Sequence, residues 1–229
     1  MTTDPKEFWE KKILGWEHGR YELPSKGSTL IERLANQSSD SLRFRLNVTC
    51  KLLRRHVENK KVVEIGCGSG LLAEPLLALG ARSYTGYDIA ENAVAEAKGR
   101  AKLNGLSNKA AFHVKRVSEL PSLDADIIFS LGLVDWLTNI ELDALFRAGG
   151  RADYLHAIAE SRLSISQMLH RIYVHLAYGH RTGSYVPRYY KVAELEKMIQ
   201  QYKQAQVHVF RHPKLSFGAL ISSLPLDET

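Results

Sequence analysis

The chain has 229 residues, 45% hydrophobic and 24% charged, enough for one sizeable core that needs no disulfide staples. No apolar run approaches the roughly 20 residues that span a bilayer, and MTTDPKEFWEKK lacks the apolar stretch of a secretory signal. The net charge of +6 reads as solvated helix faces, with nucleic acid, an anionic metabolite or a membrane surface as alternative partners. Only two cysteines, Cys50 and Cys67, in no CxxC or Cys/His set, point to a cytoplasmic protein with reduced thiols and no metal.

Residues 1–40 read as a segment apart. FWEKKILGWEHGRYE sets Phe8, Trp9, Ile13, Leu14 and Trp16 at helical spacing ahead of Pro24 and a Gly/Ser turn. This helical, aromatic extension is expected to close over a ligand as a lid. A second helix is predicted over about 41–57, opening a main domain at 41–229. VVEIG (62–66) is a β-branched run that ends in glycines. LLAEPLLALG (71–80) reads as a helix stopped by Gly80, with Pro75 tolerable only near its first turn. SYTGYDI (83–89) is the next strand, and residues 91–105 form a helix that stops at Asn104 and Gly105.

AFHV (111–114), DIIFSL (126–131) and YLHAIAE (154–160) are three further strands, with NIELDALFRAG a helix between the last two. Helices are predicted over 164–176 and 192–202, and two apolar runs broken at Pro213 close the chain as a candidate antiparallel hairpin. Alternating strands and helices argue for an α/β fold, a parallel sheet with helices on both faces. Two consecutive closing strands imply an antiparallel strand inserted at one edge.

The segment that carries chemistry is VVEIGCGSG. Gly66, Gly68 and Gly70 follow an apolar strand directly, and without a Cβ there a ligand can approach the backbone. The spacing is GxGxG, because position 71 of a dinucleotide GxGxxG fingerprint is Leu71. Glu64 stands two residues before the first glycine. Asp88 ends the following strand, where a carboxylate can accept from both hydroxyls of a ribose. The simpler account is a tight turn and a helix cap at Asp88. The joint spacing favours a nucleoside site at the carboxyl edge of the sheet.

These residues resemble the class I S-adenosylmethionine-dependent methyltransferases, over roughly residues 41–222 and most specifically at VVEIGCGSG and YTGYDIA. The resemblance implies a three-layer, doubly wound, seven-stranded and mostly parallel sheet whose last strand is antiparallel. It implies S-adenosyl-L-methionine as cofactor. Glu64, Gly66, Cys67, Gly68 and Gly70 would lie against its methionine part, and Asp88 would hold the ribose with Ile89 beside the adenine. Leu131 and Gly132 would pass under the cofactor. Where many members of the family carry an acid near the adenine amino group, this chain has Arg116, which is donor-only. Backbone groups around Val117 and Ser118 are the expected substitute.

Methyl transfer from a sulfonium is an in-line displacement, and positioning can supply most of the catalysis. A base is needed only when the acceptor must lose a proton. Asp135 and His156 are the catalytic candidates; the plainer reading of Asp135 is a cap for the helix after Thr138. Substrate-binding candidates are Trp16, Tyr21, Trp136, Tyr178, Arg181 and Arg188, since arginines can grip a carboxylate or phosphate and the aromatics can flank a ring. The expected acceptor is a small or medium-sized, anionic or aromatic metabolite methylated at oxygen or nitrogen. An RNA or protein acceptor, or a non-catalytic cofactor-binding scaffold, is the alternative. The segment SLGLVDWL lacks the Asn/Asp-Pro-Pro-Tyr/Phe signature of amino-methylating nucleic-acid enzymes.

Overall fold

A computed structural model describes residues 4–21, 30–162, 167, 168, 172 and 185–226. Helices α1 (Pro5–Tyr21) and α2 (Leu30–Leu53) come first. The alternating series follows: β1 (Lys61–Ile65), α3 (Ala73–Ala78), β2 (Ser83–Asp88), α4 (Glu91–Leu103), β3 (Ala110–Val114), β4 (Ile127–Leu131), α5 (Asn139–Gly149) and β5 (Asp153–Ala159). After it come α6 (Val192–Ile199), β6 (His208–Phe210) and β7 (Gly218–Ser222).

The seven strands form one sheet in the order β3-β2-β1-β4-β5-β7-β6. Strands β1 to β5 pair in parallel, and β7 runs antiparallel to both β5 and β6. This is the doubly wound sheet with an antiparallel last strand that the sequence implied. Strand order reverses between β1 and β4, and that crevice at the carboxyl ends is where such sheets hold ligands.

Strands buried on both faces read as apolar runs. In β1, Val62 packs with Leu53, Leu76, Tyr84, Val94 and Phe129 on the face covered by α2, α3 and α4. Val63 and Ile65 pack with Leu142, Leu145, Leu195 and Ile199 on the face covered by α5 and α6. The exception in that run is Glu64, a buried carboxylate at the end of the strand that leads to the glycines.

Several boundaries move. A division at residue 40 falls inside α2, a continuous helix over Leu30–Leu53, so the extension and the main domain share an element. The same helix stops at Leu53 instead of residue 57. The helix after the glycine loop begins at Ala73, which puts Pro75 in its first turn, where no intrahelical N–H is lost. The helix at 91–105 ends as expected, with Asn104 as its cap and Gly105 at φ 68°. The helix predicted over 164–176 lies almost entirely outside the described residues. No helix among the described residues is long and apolar enough to cross a membrane.

Candidate cofactor and acceptor site

The glycine loop is anchored to β2 by its own backbone: the N–H groups of Gly66 and Cys67 both donate to the Tyr87 carbonyl, at 2.7 and 3.1 Å. Gly70 (φ +72°) is required by shape, since a Cβ there would stand 2.8 Å from the Phe112 ring, and Gly68 holds a left-handed backbone (φ +51°) with the Glu17 carboxylate resting against it. Asp88 ties loop and following helix together. Its Oδ2 accepts from Gly68 N at 2.8 Å and its Oδ1 from Ala90 N at 2.9 Å. Each oxygen keeps a further lone pair for a ligand. Ile89 is half-buried beside it, and Val117 opens a short 3-10 turn (Val117–Glu119) past β3.

Helix α1 lies across this carboxyl edge and is fastened at three places. The Glu17 carboxylate accepts from Ser69 N at 3.2 and 3.3 Å. The Glu10 carboxylate accepts from Glu91 N at 2.7 Å and Asn92 N at 2.9 Å. Helix α4 has no side-chain cap of its own, since Ala90 occupies the cap position, so α1 supplies that cap from outside. Both carboxylate oxygens of Asp4 accept from the Arg116 guanidinium Nη2, at 2.9 and 3.0 Å. The N-terminal segment thus brings a carboxylate to Arg116. On its other side α1 inserts Phe8 and Trp9 against Trp136 and Tyr185, with ring centroids 5.1–5.6 Å apart. Trp9 Nε1 donates to the Tyr185 hydroxyl at 2.7 Å.

The site under α1 is rich in carboxylates. Burial raises the proton affinity of Glu64 well above the ordinary range, and the nearby charges of Glu17 and Asp88 push it further. The Tyr84 hydroxyl donates to Glu64 and opposes that rise. Burial likewise raises Glu17, against the hydrogen bonds from Ser69, and raises Asp88, against three backbone donors. Cys67 is buried in the same place, its thiol pushed far up by burial and so held protonated.

A cation also faces this cluster. Arg45, from α2, rests on Gly132 just beyond β4: a Cβ on that glycine (φ +80°) would be 3.0 Å from Arg45 Nη2. Its charge opposes the raised proton affinity of both Glu64 and Asp135. Arg45 Nε is a buried donor with no hydrogen-bond partner among the described residues. Such a group normally finds an acceptor. Leu131 and Gly132 line the same stretch, half-buried at the carboxyl end of β4.

Asp135 sits in a 3-10 turn (Val134–Trp136) beyond β4, where Oδ1 accepts from Ala159 N at 2.5 Å. Loss of solvation lifts its carboxyl from 3.8 to about 6. It does not cap α5; Thr138 does, in a reciprocal pair with Glu141. Trp136 belongs to the aromatic cluster against α1. His156 departs from its expected role as a base. It is 2% exposed at the middle of β5, stacked on Tyr154 and joined to Ser130 Oγ at 2.9 Å, and burial holds it neutral with a pKa near 3. A ring sealed between Tyr154 and Phe146 has no access to a substrate. The Arg188 backbone N–H donates to the Asp135 carbonyl at 2.6 Å, while its exposed guanidinium reaches Asn139. Tyr178 and Arg181 lie outside the described residues, as do the side chains of Trp16 and Tyr21.

Sequence reasoning passed over Arg45, Glu10 and Glu17. Glu10 and Glu17 are seven residues apart, two helical turns, which sets both on one face of α1. That spacing was a legible signal; Arg45 on α2 carried none.

Residues 62–152 match a family described as a methyltransferase domain. The chain is 33% identical over 99 residues to the ribosomal protein L11 methyltransferase of Pseudomonas putida, a match covering 42% of this chain and 33% of that protein. It is 41% identical over 70 residues to the same enzyme of Shewanella pealeana, covering 31% and 24%. The chain thus spans about a third or less of the length of these curated relatives. By fold it is similar to magnesium protoporphyrin IX methyltransferase of Synechocystis PCC 6803, crystallised with S-adenosylhomocysteine, at a TM-score of 0.69 and 16% identity over 95% of this chain and 96% of that one.

Proposed function

We propose, from the methyltransferase domain that residues 62–152 carry within a class I, Rossmann-like fold, that this chain is an S-adenosylmethionine-dependent methyltransferase. The observation that carries the reading is the charge layout of the site. Glu17, Glu64 and Asp88 gather at the glycine loop, each with a raised proton affinity, and Arg45 faces them with an unpartnered Nε. S-adenosylmethionine supplies a methyl group on a cationic sulfonium and carries an ammonium and a carboxylate. Positive charge placed among three buried carboxylates relieves their repulsion and their desolvation together. The ligand carboxylate is the acceptor that Arg45 lacks.

Within that reading each residue has a task. Asp88 keeps the loop in register and offers lone pairs to a ribose. Gly68 and Gly70 keep the backbone bare. Gly132 leaves room for Arg45 to lie flat on the floor of the site. The α1 aromatics and Trp136 exclude water from the reacting centre, which strengthens every charge interaction inside it. Asp135 is the proton acceptor for a hydroxyl or amine acceptor: with a pKa of about 6 it is ionised at neutral pH and still basic enough to take a proton.

For the acceptor we favour a small or medium-sized anionic or aromatic metabolite, methylated at oxygen or nitrogen. Support comes from the aromatic wall of Trp9, Trp136 and Tyr185 beside Asp135, and from a fold neighbour named for magnesium protoporphyrin IX. A protein acceptor is the second reading, favoured by relatives named for methylating ribosomal protein L11.

Calorimetric titration with S-adenosylhomocysteine, with NADH alongside, tests the cofactor. Saturable binding of the first alone is expected; binding of NADH alone overturns the reading of the glycine loop.

A further inference from the structure

Helix α1 meets the carboxyl edge of the sheet strand by strand. Asp4 reaches Arg116 beyond β3, Glu10 reaches Glu91 and Asn92 beyond β2, and Glu17 reaches Ser69 beyond β1. Lys6 adds an ion pair with Glu91. From Asp4 to Glu17 the segment covers about 20 Å at 1.5 Å per residue, enough to roof a nucleoside and an amino-acid arm laid along that edge. The groups beneath are shut in: Cys67, Ser69 and Asp88 are 5, 2 and 8% exposed. A ligand that is to touch Asp88 and the glycine loop reaches them only once α1 has moved.

The fastenings are of a kind that can let go. Among the described side chains of α1 only Phe8 and Glu17 are buried. Each carboxylate contact that breaks is replaced by one with water, so α1 can lift while the apolar cores on both faces of the sheet stay packed. Glu10 holds the most. Its carboxylate takes two backbone donors of α4, Glu91 N at 2.7 Å and Asn92 N at 2.9 Å, and its carbonyl accepts from Asn92 Nδ2 at 2.5 Å.

The same helix builds the wall on the acceptor side. Phe8 and Trp9 supply two of the four rings there, against Trp136 and Tyr185, and both leave with α1. Trp9 Nε1 is tied to the Tyr185 hydroxyl. We infer, on the S-adenosylmethionine reading of the site, that α1 is a gate latched by Glu10: the cofactor enters and leaves while the latch is open, and the acceptor wall is complete only while it is closed. The cofactor therefore loads before the acceptor is held. Glu10 is a positioning residue in this scheme, acting through the helix that carries it.

Stopped-flow tryptophan fluorescence on the full chain gives the association and dissociation rates of S-adenosylhomocysteine, and calorimetry gives its Kd. Glu10→Ala should raise both rates about 10-fold or more with their ratio much less changed, since the latch sets how often the gate stands open. Exchange of the Trp9 indole N–H, followed by NMR without ligand, should quicken by a similar factor. If Glu10→Ala fails to fold, Asp4→Ala and Lys6→Ala remove exposed fastenings and should show the same pattern with smaller rises. A variant that speeds dissociation alone and loses affinity overturns the gate and leaves Glu10 as a cap for α4. Faster rates with unchanged indole exchange overturn the link to the acceptor wall. Unchanged rates in a chain that binds S-adenosylhomocysteine overturn the gate alone; a chain that binds none overturns the cofactor reading as well.

Discussion

The carboxylate of Glu17 meets the backbone N–H of Ser69 at 3.2 and 3.3 Å, so the end of α1 closes directly on the loop that follows β1. A carboxylate accepting a buried backbone donor is worth about 1.5–3 kcal/mol. Glu17→Ala is therefore expected to speed amide hydrogen exchange across residues 5–15 by about 10-fold or more, with the sheet unaffected. Unchanged exchange would mean that Phe8, Trp9 and Glu10 hold the helix without it.

Asp88→Ala should weaken S-adenosylhomocysteine binding by about 1–3 kcal/mol, or roughly 5–150-fold, since the ribose and Gly68 N both lose an acceptor. Circular dichroism of the variant separates loss of the ligand contact from loss of fold. Full affinity in the folded variant would move the ribose elsewhere.

Arg45→Ala separates the two ends of the cofactor. S-adenosylhomocysteine carries an amino-acid carboxylate and 5′-methylthioadenosine does not. The variant should lose about 10-fold or more in affinity for the first and nothing for the second. Equal losses would place Arg45 in a structural role, supporting Gly132 and the turn at Asp135.

Asp135→Asn keeps an oxygen that can accept from Ala159 N and removes the basic group. With the Asp135 carboxyl at about 6, kcat/KM of the unmodified enzyme should climb about tenfold per pH unit below 6 and level off above 7. The variant should be slow at every pH with that limb gone and S-adenosylhomocysteine affinity preserved. A surviving limb would assign the titration to another group.

Stability of the free protein should also carry the mark of the carboxylate cluster. The folded chain holds a proton on Glu64 that the unfolded chain, at the ordinary 4.5, has already released. Stability from this group is full below 4.5 and is lost as pH rises toward the raised folded value. The melting temperature of the unmodified chain should therefore fall more between about pH 5 and pH 8 than that of Glu64→Gln, which still accepts from Tyr84. Parallel curves would mean that Glu64 stays ionised in the fold.

Most of the fold was legible because its signals are local. VVEIG and SYTGYDI read as strands because parallel strands are apolar on both faces, and Gly66, Gly68 and Gly70 announce a turn that no β-carbon fits. His156 misled because its place in the chain suggests the carboxyl edge. The alternation of β5 instead turns its ring into the core beneath α5.

The sequence by itself determined the alternating α/β order, the bare glycine loop and the acid at the end of the second strand, because each depends on the residues adjacent to it. Only the tertiary structure decided what faces that loop. Glu10, Glu17 and Arg45 reach the site from helices 20 or more residues ahead of it in the chain, and Ala159 reaches Asp135 from a different strand. No local pattern encodes such a meeting, because the free energy that fixes it comes from packing two helices across the edge of a sheet that forms as one body.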